Sequence, residues 1–208
     1  KIFFRKSVLL LMGELEFPLN KPPNNIKQKI LTRIVKVATI IGVRGSNSKE
    51  RVLSLGYKNQ IFIPNNVFSF DDFNRVDLSK ENDIIFIGNI QHEKRIDILL
   101  DIIHMLKVDK NMKANVLIVG DGKLKPNLMA KSEKLGLSEF VKFLPFTDKN
   151  KLNTLINTSK ICALTSEFEG LPMVLVETMA CGVPSVSFDI ADIGDIIKNN
   201  VNGFLVDF

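Results

Sequence analysis

The sequence predicts an α/β chain built on a doubly wound parallel sheet of about six strands, with part of a second domain ahead of it. Three observations carry that expectation. From Asp83 onward, six short apolar runs alternate with five stretches of helical period. The runs are apolar along nearly their whole length, as strands buried on both faces of a parallel sheet must be. Runs close on turn formers, Gly88-Asn89 and Gly120-Asp121-Gly122 being the clearest.

In order, Ile84–Ile87 reads as a strand and Arg95–Lys107 as an amphipathic helix, with Ile96, Leu99, Leu100, Ile103 and Leu106 on one face. Val116–Val119 is a strand, followed by a helix over Leu124–Leu135 that Gly136 stops. Val141–Leu144 and Ile161–Leu164 are strands, with a helix over Asp148–Asn157 between them. Pro172–Ala180 is a helix stopped by Cys181-Gly182, Val183–Phe188 a strand, Ile193–Lys198 a short helix and Phe204–Val206 the last strand. Right-handed crossovers make such an alternation a Rossmann-like sheet.

The first third is less regular. Val8–Met12 suits a buried strand, and Pro18–Asn25, with three prolines and three asparagines, a loop. Ile26–Ala38 has helical spacing, Thr39–Val43 and Gln60–Ile63 read as short strands, and Ser46 is placed to cap a helix that Gly56 stops. Ser69–Lys80 is polar and reads as a linker.

Composition narrows the classes. The chain has 208 residues, 45% hydrophobic and 25% charged, with net charge +5. That excludes a disordered tail or a disulfide miniprotein. The basic residues are scattered, so no nucleic-acid stripe forms. Cys162 and Cys181 make no zinc cluster and fit core positions in a reducing compartment. The apolar run near the start is too short to span a membrane. Lys1–Lys6 followed by apolar residues has the look of a signal peptide, but Glu14 and Glu16 argue against one. The absent initial Met and the stop soon after Val206 suggest a fragment.

Ligands of doubly wound sheets bind beyond the carboxyl ends of the strands. The strongest constellation there is Ser166–Glu177. Pro172 suits a first helical position, and the amides of Met173, Val174 and Leu175 would offer a phosphate-ready helix start. Glu177, further along the helix, can accept two ribose hydroxyls, with Glu169 nearer the leading end of a ligand. Two carboxylates, a glycine and a helix start suit a sugar carried on a nucleoside diphosphate. Taken singly, the same residues are a loop glutamate and a helix-surface glutamate.

Glu169 and Glu177 lie in E-G-L-P-M-V-L-V-E-T-M-A-C-G-V-P-S-V, residues 169–186. This resembles the signature of glycosyltransferase family 4, the retaining GT-B enzymes, with Thr178 for the usual Ala and Ser185 for the usual Val. Phe86–Lys94 resembles the family's strand followed by G-R-L-x-x-E-K, and Leu117–Gly122 its I-V-G-D-G turn. Leu135-Gly136-Leu137 with Val141–Phe146, Asn202–Val206 and Ile61–Val67 resemble further family segments.

The resemblance implies a division into the end of an acceptor domain (1–66), a linker (67–82) and a donor domain (83–208), truncated at its carboxyl end. It implies Lys94 on the donor diphosphate, Glu177 on the ribose and Glu169 on the sugar ring. The Gly170, Leu171, Pro172 and Met173 backbone would hold sugar hydroxyls, with Val174 alongside. Main chain of Phe143, Leu144 and Pro145 would face the base, and Gly88, Asn89 and Gly120 would line the donor. Glu169 and Lys94 are thus the catalytic candidates. Asn89 departs from the usual arginine on the diphosphate, and Arg95, where glycine is common, is placed to compensate. Pro145 replaces a usual glycine near the base.

The implied function is transfer of a hexose from a UDP- or GDP-sugar to a glycan or lipid-linked acceptor with retention, in bacterial cell-surface polysaccharide assembly. The implied enzyme needs no metal and no cofactor beyond its nucleotide-sugar substrate, and binds no nucleic acid. The fragment alone is expected to be inactive. Its expected location is cytoplasmic, with a peripheral contact at the inner membrane face through the basic side of Ile26–Ala38 as an option. The alternative is a non-catalytic nucleotide-sugar-binding module or partner subunit. A dehydrogenase is disfavoured, because no G-x-G-x-x-G follows a strand. His92 and His104 read as structural, His92 with no obvious partner.

Overall fold

The computed structural model describes residues 8–10, 26–63 and 71–207. The chain divides into two compact units, 1–67 with 169–171 and 68–168 with 172–208. Of the residues read from the sequence, 1–6, 11–12, 14, 16, 18–25 and 64–70 lie outside the described residues.

In the first unit, β1 (Val8–Leu10), β2 (Ile40–Gly42) and β3 (Gln60–Phe62) pair in parallel in that order. Helices α1 (Ile26–Val37) and α2 (Ser46–Ser54) join them. Val35, Ala38, Ile41, Val43, Val52 and Tyr57 form the core, and the Tyr57 hydroxyl donates to the Ala38 carbonyl at 3.3 Å. Among the described side chains of α1, Val35 is buried, whereas Ile26, Ile30, Ile34 and Val37 are exposed. Gly45, not Ser46, is the N-cap of α2, and no side chain caps it. Gly56 follows α2 with φ of +81°, a left-handed conformation that glycine takes without steric cost.

The second unit holds a six-stranded, all-parallel sheet. Its elements are β4 (Asn82–Ile87), a 3-10 turn (His92–Lys94), α3 (Ile96–Asp109), β5 (Val116–Val119), α4 (Lys125–Lys134), β6 (Val141–Leu144), α5 (Lys149–Asn157), β7 (Ser159–Leu164), α6 (Met173–Ala180), β8 (Ser185–Phe188), α7 (Ile193–Ile196) and β9 (Gly203–Val206). The strands lie in the order β6-β5-β4-β7-β8-β9. This is the doubly wound sheet that the alternation predicts, and element boundaries differ from the sequence reading by a few residues.

The apolar runs have the expected cause. Ile84 and Phe86 face one core with Leu99, Leu100, Ile103 and Ile118. Ile85 and Ile87 face the other, with Leu117, Val119, Ile156 and Cys162. A period of two with both sets apolar is what a sheet covered on both sides requires. Cys162 and Cys181 are buried free thiols, pushed by burial up to about 12 and about 11.

Residues 71–81 contain no helix or strand, yet they are tied down. Phe73 is buried in the second core. The buried Asn157 side chain accepts from Val76 N at 2.8 Å and donates to Asn74 O at 2.9 Å. The Lys80 ammonium donates to Asn157 O and Ser159 O at 2.7 and 2.9 Å, at the carboxyl end of α5 where a cation suits the helix dipole. Among the described residues, no helix is long and apolar enough to cross a membrane.

Candidate functional site

The sheet grows outward in two directions from its central pair, β4 and β7. Strands β5 and β6 extend it beyond β4, and β8 and β9 extend it beyond β7. The segments after the carboxyl ends of that pair, 88–95 and 165–172, therefore flank the switch point where doubly wound sheets bind ligands.

Gly88 ends β4, and its amide donates to Val119 O at 3.0 Å. Gly120 ends β5, and a Cβ on it would strike the Gly88 carbonyl, so only glycine fits this approach of the two strand ends. Asn89 is exposed. Lys94 closes the 3-10 turn, with Cε 3.9 Å from where a Cβ on Gly88 would stand. Its aliphatic stem thus runs back over the end of β4.

Arg95 comes next with φ of 45° and ψ of 42°, in the left-handed region. That backbone is unfavourable for a residue with a Cβ, which crowds the following carbonyl oxygen. Its guanidinium does not project as a spare cation. Nε and Nη2 donate to the two Asp97 oxygens at 3.1 and 3.2 Å, and Nη1 donates to Glu167 Oε2 at 3.1 Å. The expectation that Arg95 compensates for Asn89 on a diphosphate is therefore corrected: two carboxylates already neutralise it. His92 also has a partner the sequence did not show, Glu167 Oε1 at 3.3 Å from Nδ1. His104 Nδ1 lies 3.1 Å from Leu135 O, a structural position.

On the β7 side, Thr165 and Ser166 are buried, and so is Glu169. Pro172 is the N-cap of α6 rather than its first helical residue, and the Leu175 amide already donates to Pro172 O at 3.1 Å. Leu175 thus leaves the expected set of ligand-facing amides, while Met173 and Val174 are the first two residues of α6 and Gly170 and Leu171 precede Pro172 in the chain. Glu177 lies just over one turn into α6, half-buried. Burial pushes its carboxyl above the ordinary glutamate range, opposed in part by the Lys149 charge.

The β5 and β6 ends are joined by a residue the sequence reading passed over. The Lys125 ammonium donates to Gly120 O at 2.9 Å, Asp121 Oδ1 at 2.8 Å and Leu144 O at 3.2 Å. Asp121 Oδ2 in turn accepts from Phe146 N at 2.9 Å. The only sequence signal was the four-residue spacing of Asp121 and Lys125. The Leu144 carbonyl also accepts from Gly120 N, so it is taken up within the protein. Pro145 is exposed, and the Phe143 side chain lines a groove of about 560 Å³ on the flank of α4, with Met129, Glu133 and Val141.

Two departures from the resembled signature explain each other. Thr178 and Ser185 are both fully buried, and their hydroxyls lie 3.1 Å apart. Where the resembled signature has an apolar pair, this chain has a hydrogen-bonded one. Among the described residues no group of His, Cys, Asp and Glu could hold a metal ion.

Residues 67–208 match the sequence profile of the family described as Glycosyl transferases group 1. The chain belongs to this family. Its six-stranded unit is the α/β sheet of GT-B glycosyltransferases. The chain is similar to AmsD of Erwinia amylovora, an amylovoran biosynthesis glycosyltransferase, at 32% identity over 162 residues, 77% of this chain and 43% of the relative. It is also similar to an alpha-1,4-N-acetyl-D-galactosaminyltransferase of Campylobacter jejuni that acts on an undecaprenol-linked acceptor, at 37% identity over 132 residues, 61% of this chain and 34% of the relative. The chain thus spans less than half the length of either relative. Among solved structures, TarM matches 97% of this chain and 40% of its own with a TM-score of 0.79 at 21% identity. HepE of Anabaena, solved with UDP, matches 98% and 58% with a TM-score of 0.78 at 20% identity. At these identities the structures carry the fold.

Proposed function

We propose that this chain is the nucleotide-sugar-binding part of a retaining glycosyltransferase of family 4, which moves a hexose from a UDP- or GDP-sugar to a glycan or lipid-linked acceptor. The observation that carries the reading is the pair Glu169 and Glu177 on either side of the α6 start, with Glu177 held half-buried. In this reading Lys94 and the α6 start hold the diphosphate, Glu177 the ribose and Glu169 the sugar ring. The bond from the anomeric carbon to the phosphate oxygen breaks, and the acceptor oxygen bonds that carbon on the same face. The acceptor proton passes to the leaving phosphate. Stabilising the diphosphate charge is then the main catalytic contribution, and neither metal nor cofactor is needed. The fragment alone would not turn over.

The relatives support this reading: AmsD is named for amylovoran biosynthesis, the Campylobacter relative for an undecaprenol-linked acceptor, and HepE was solved with UDP. A cytoplasmic protein touching the inner membrane face belongs to the reading too. Helix α1 has no acidic residue, and its exposed Ile26, Ile30, Ile34 and Val37 sit among Lys29, Arg33 and Lys36. A second reading, a non-catalytic nucleotide-sugar module, is favoured by Asn89, which supplies no charge.

Calorimetric titration with UDP, GDP, ADP and NAD tests the first reading. One nucleoside diphosphate should bind, Glu177→Ala should lose it with the fold intact, and Lys94→Ala should cost more for that diphosphate than for its bare nucleoside. Unchanged affinity in both variants removes these residues from a donor site. Turnover by the full-length protein separates the enzyme from the module.

A further inference from the structure

The segments after β4 and β7 are stitched together. The Glu167 amide donates to Glu93 O at 2.9 Å, and Thr165 Oγ1 donates to Lys94 O at 3.0 Å. Side chains add a second layer. Arg95 Nη1 donates to Glu167 Oε2 at 3.1 Å while its other nitrogens grip Asp97, and His92 Nδ1 stands 3.3 Å from Glu167 Oε1.

We propose that Arg95 is a positioning residue for the donor site: from a left-handed backbone position it clasps Glu167 and so fixes Lys94, its neighbour, against the segment that leads into Glu169. The inference rests on the reading of Lys94 as a diphosphate contact. A glycine would take the Arg95 backbone conformation without steric cost. The side chain therefore brings strain that only its contacts repay, and those contacts run to Asp97 and Glu167. The side chain is 26% exposed against 34% for Glu167, so the pair is partly shielded from solvent. A planar guanidinium can serve both carboxylates at once through separate nitrogens, whereas a lysine ammonium cannot reproduce that fork. The clasp also has an electrostatic side. Two residues before Glu169, an unpaired Glu167 carboxylate would repel an incoming diphosphate, and Arg95 offsets part of that charge.

The test uses Arg95→Gly, Arg95→Lys, Glu167→Gln and, as a control, Lys94→Ala, each followed by its Tm, by UDP and uridine affinity, and by amide hydrogen exchange without nucleotide. Arg95→Gly should change the Tm little, because the strain and the contacts that offset it are lost together. It should weaken UDP about five- to tenfold, the scale of one charge-assisted contact, and leave uridine unchanged. Arg95→Lys should fall between it and the parent. Exchange at the Glu167 amide should quicken in Arg95→Gly and Glu167→Gln. Glu167→Gln breaks the clasp without leaving an unpaired carboxylate, so it should lose less affinity than Arg95→Gly, and its exchange at the Glu167 amide carries the test of the clasp should Arg95→Gly fail to fold. Parental UDP affinity in folded Arg95→Gly, alongside a loss in Lys94→Ala, overturns the positioning role. Parental affinity in Lys94→Ala removes Lys94 from the diphosphate and overturns the positioning role with it, while the donor reading is then decided by Glu177→Ala. Unchanged exchange at Glu167 overturns the clasp whether or not any nucleotide binds.

Discussion

Thr178 and Ser185 show how a departure from a family pattern is made harmless. Each alone would bury a hydroxyl where an apolar side chain is usual, and an orphaned buried hydroxyl costs about 1–3 kcal/mol. Here Thr178 Oγ1 reaches Leu175 O at 3.1 Å and Ser185 Oγ at 3.1 Å, so each has a partner. Removing both should therefore cost less than the two removals summed. In a denaturation cycle, Thr178→Ala and Ser185→Ala should show a coupling of about 0.5 kcal/mol or more, and strict additivity would mean that the hydroxyls do not support each other. The spacing of the signature was legible from the chain, but the contact between residues seven apart was not. It exists because the α6-to-β8 connection folds back on itself.

At the scale of elements, the segment 71–81 and helix α5 depend on each other. Asn157 lies at the end of α5, fully buried, and its side chain replaces the backbone partners that Asn74 and Val76 would find in a strand. Asn157→Ala leaves Val76 N and Asn74 O without those partners and should cost about 1–3 kcal/mol by urea denaturation. Limited proteolysis should then cut within 71–81 faster than in the parent. Unchanged cleavage would mean that Phe73 and Lys80 suffice to hold the segment. From composition this stretch reads as a polar linker, because nothing local reveals partners roughly eighty residues away. The α1 helix gives the complementary lesson. Its period was legible, but not that Val35 is buried while Ile30 and Ile34 are exposed, since apolar spacing admits more than one face.

At the scale of the whole molecule, the two units have separate cores, one around Ile41 and Val52 and the other on both faces of the six-stranded sheet. Separate cores unfold as separate cooperative transitions. Calorimetry should resolve two transitions, with Val52→Ala lowering one and Phe86→Leu the other. Given the donor reading, UDP at about a hundred times its dissociation constant should stabilise the larger unit by about 2.7 kcal/mol. A single transition moved equally by both substitutions would show one cooperative body.

The sequence by itself determined the doubly wound class and the six strands and five helices of the larger unit. Those are local properties: the period of apolar residues, turn formers at strand ends, and a motif contiguous from Glu169 to Val186. Only the tertiary structure decided that Arg95 is spent on Asp97 and Glu167, that Lys125 joins the ends of β5 and β6, and that Asn157 pins the segment at 71–81. Each of these joins residues from separate segments through a charge or a hydrogen bond. Such contacts leave no period in the chain, because their partners are chosen by the order of strands in the sheet and not by distance along the sequence.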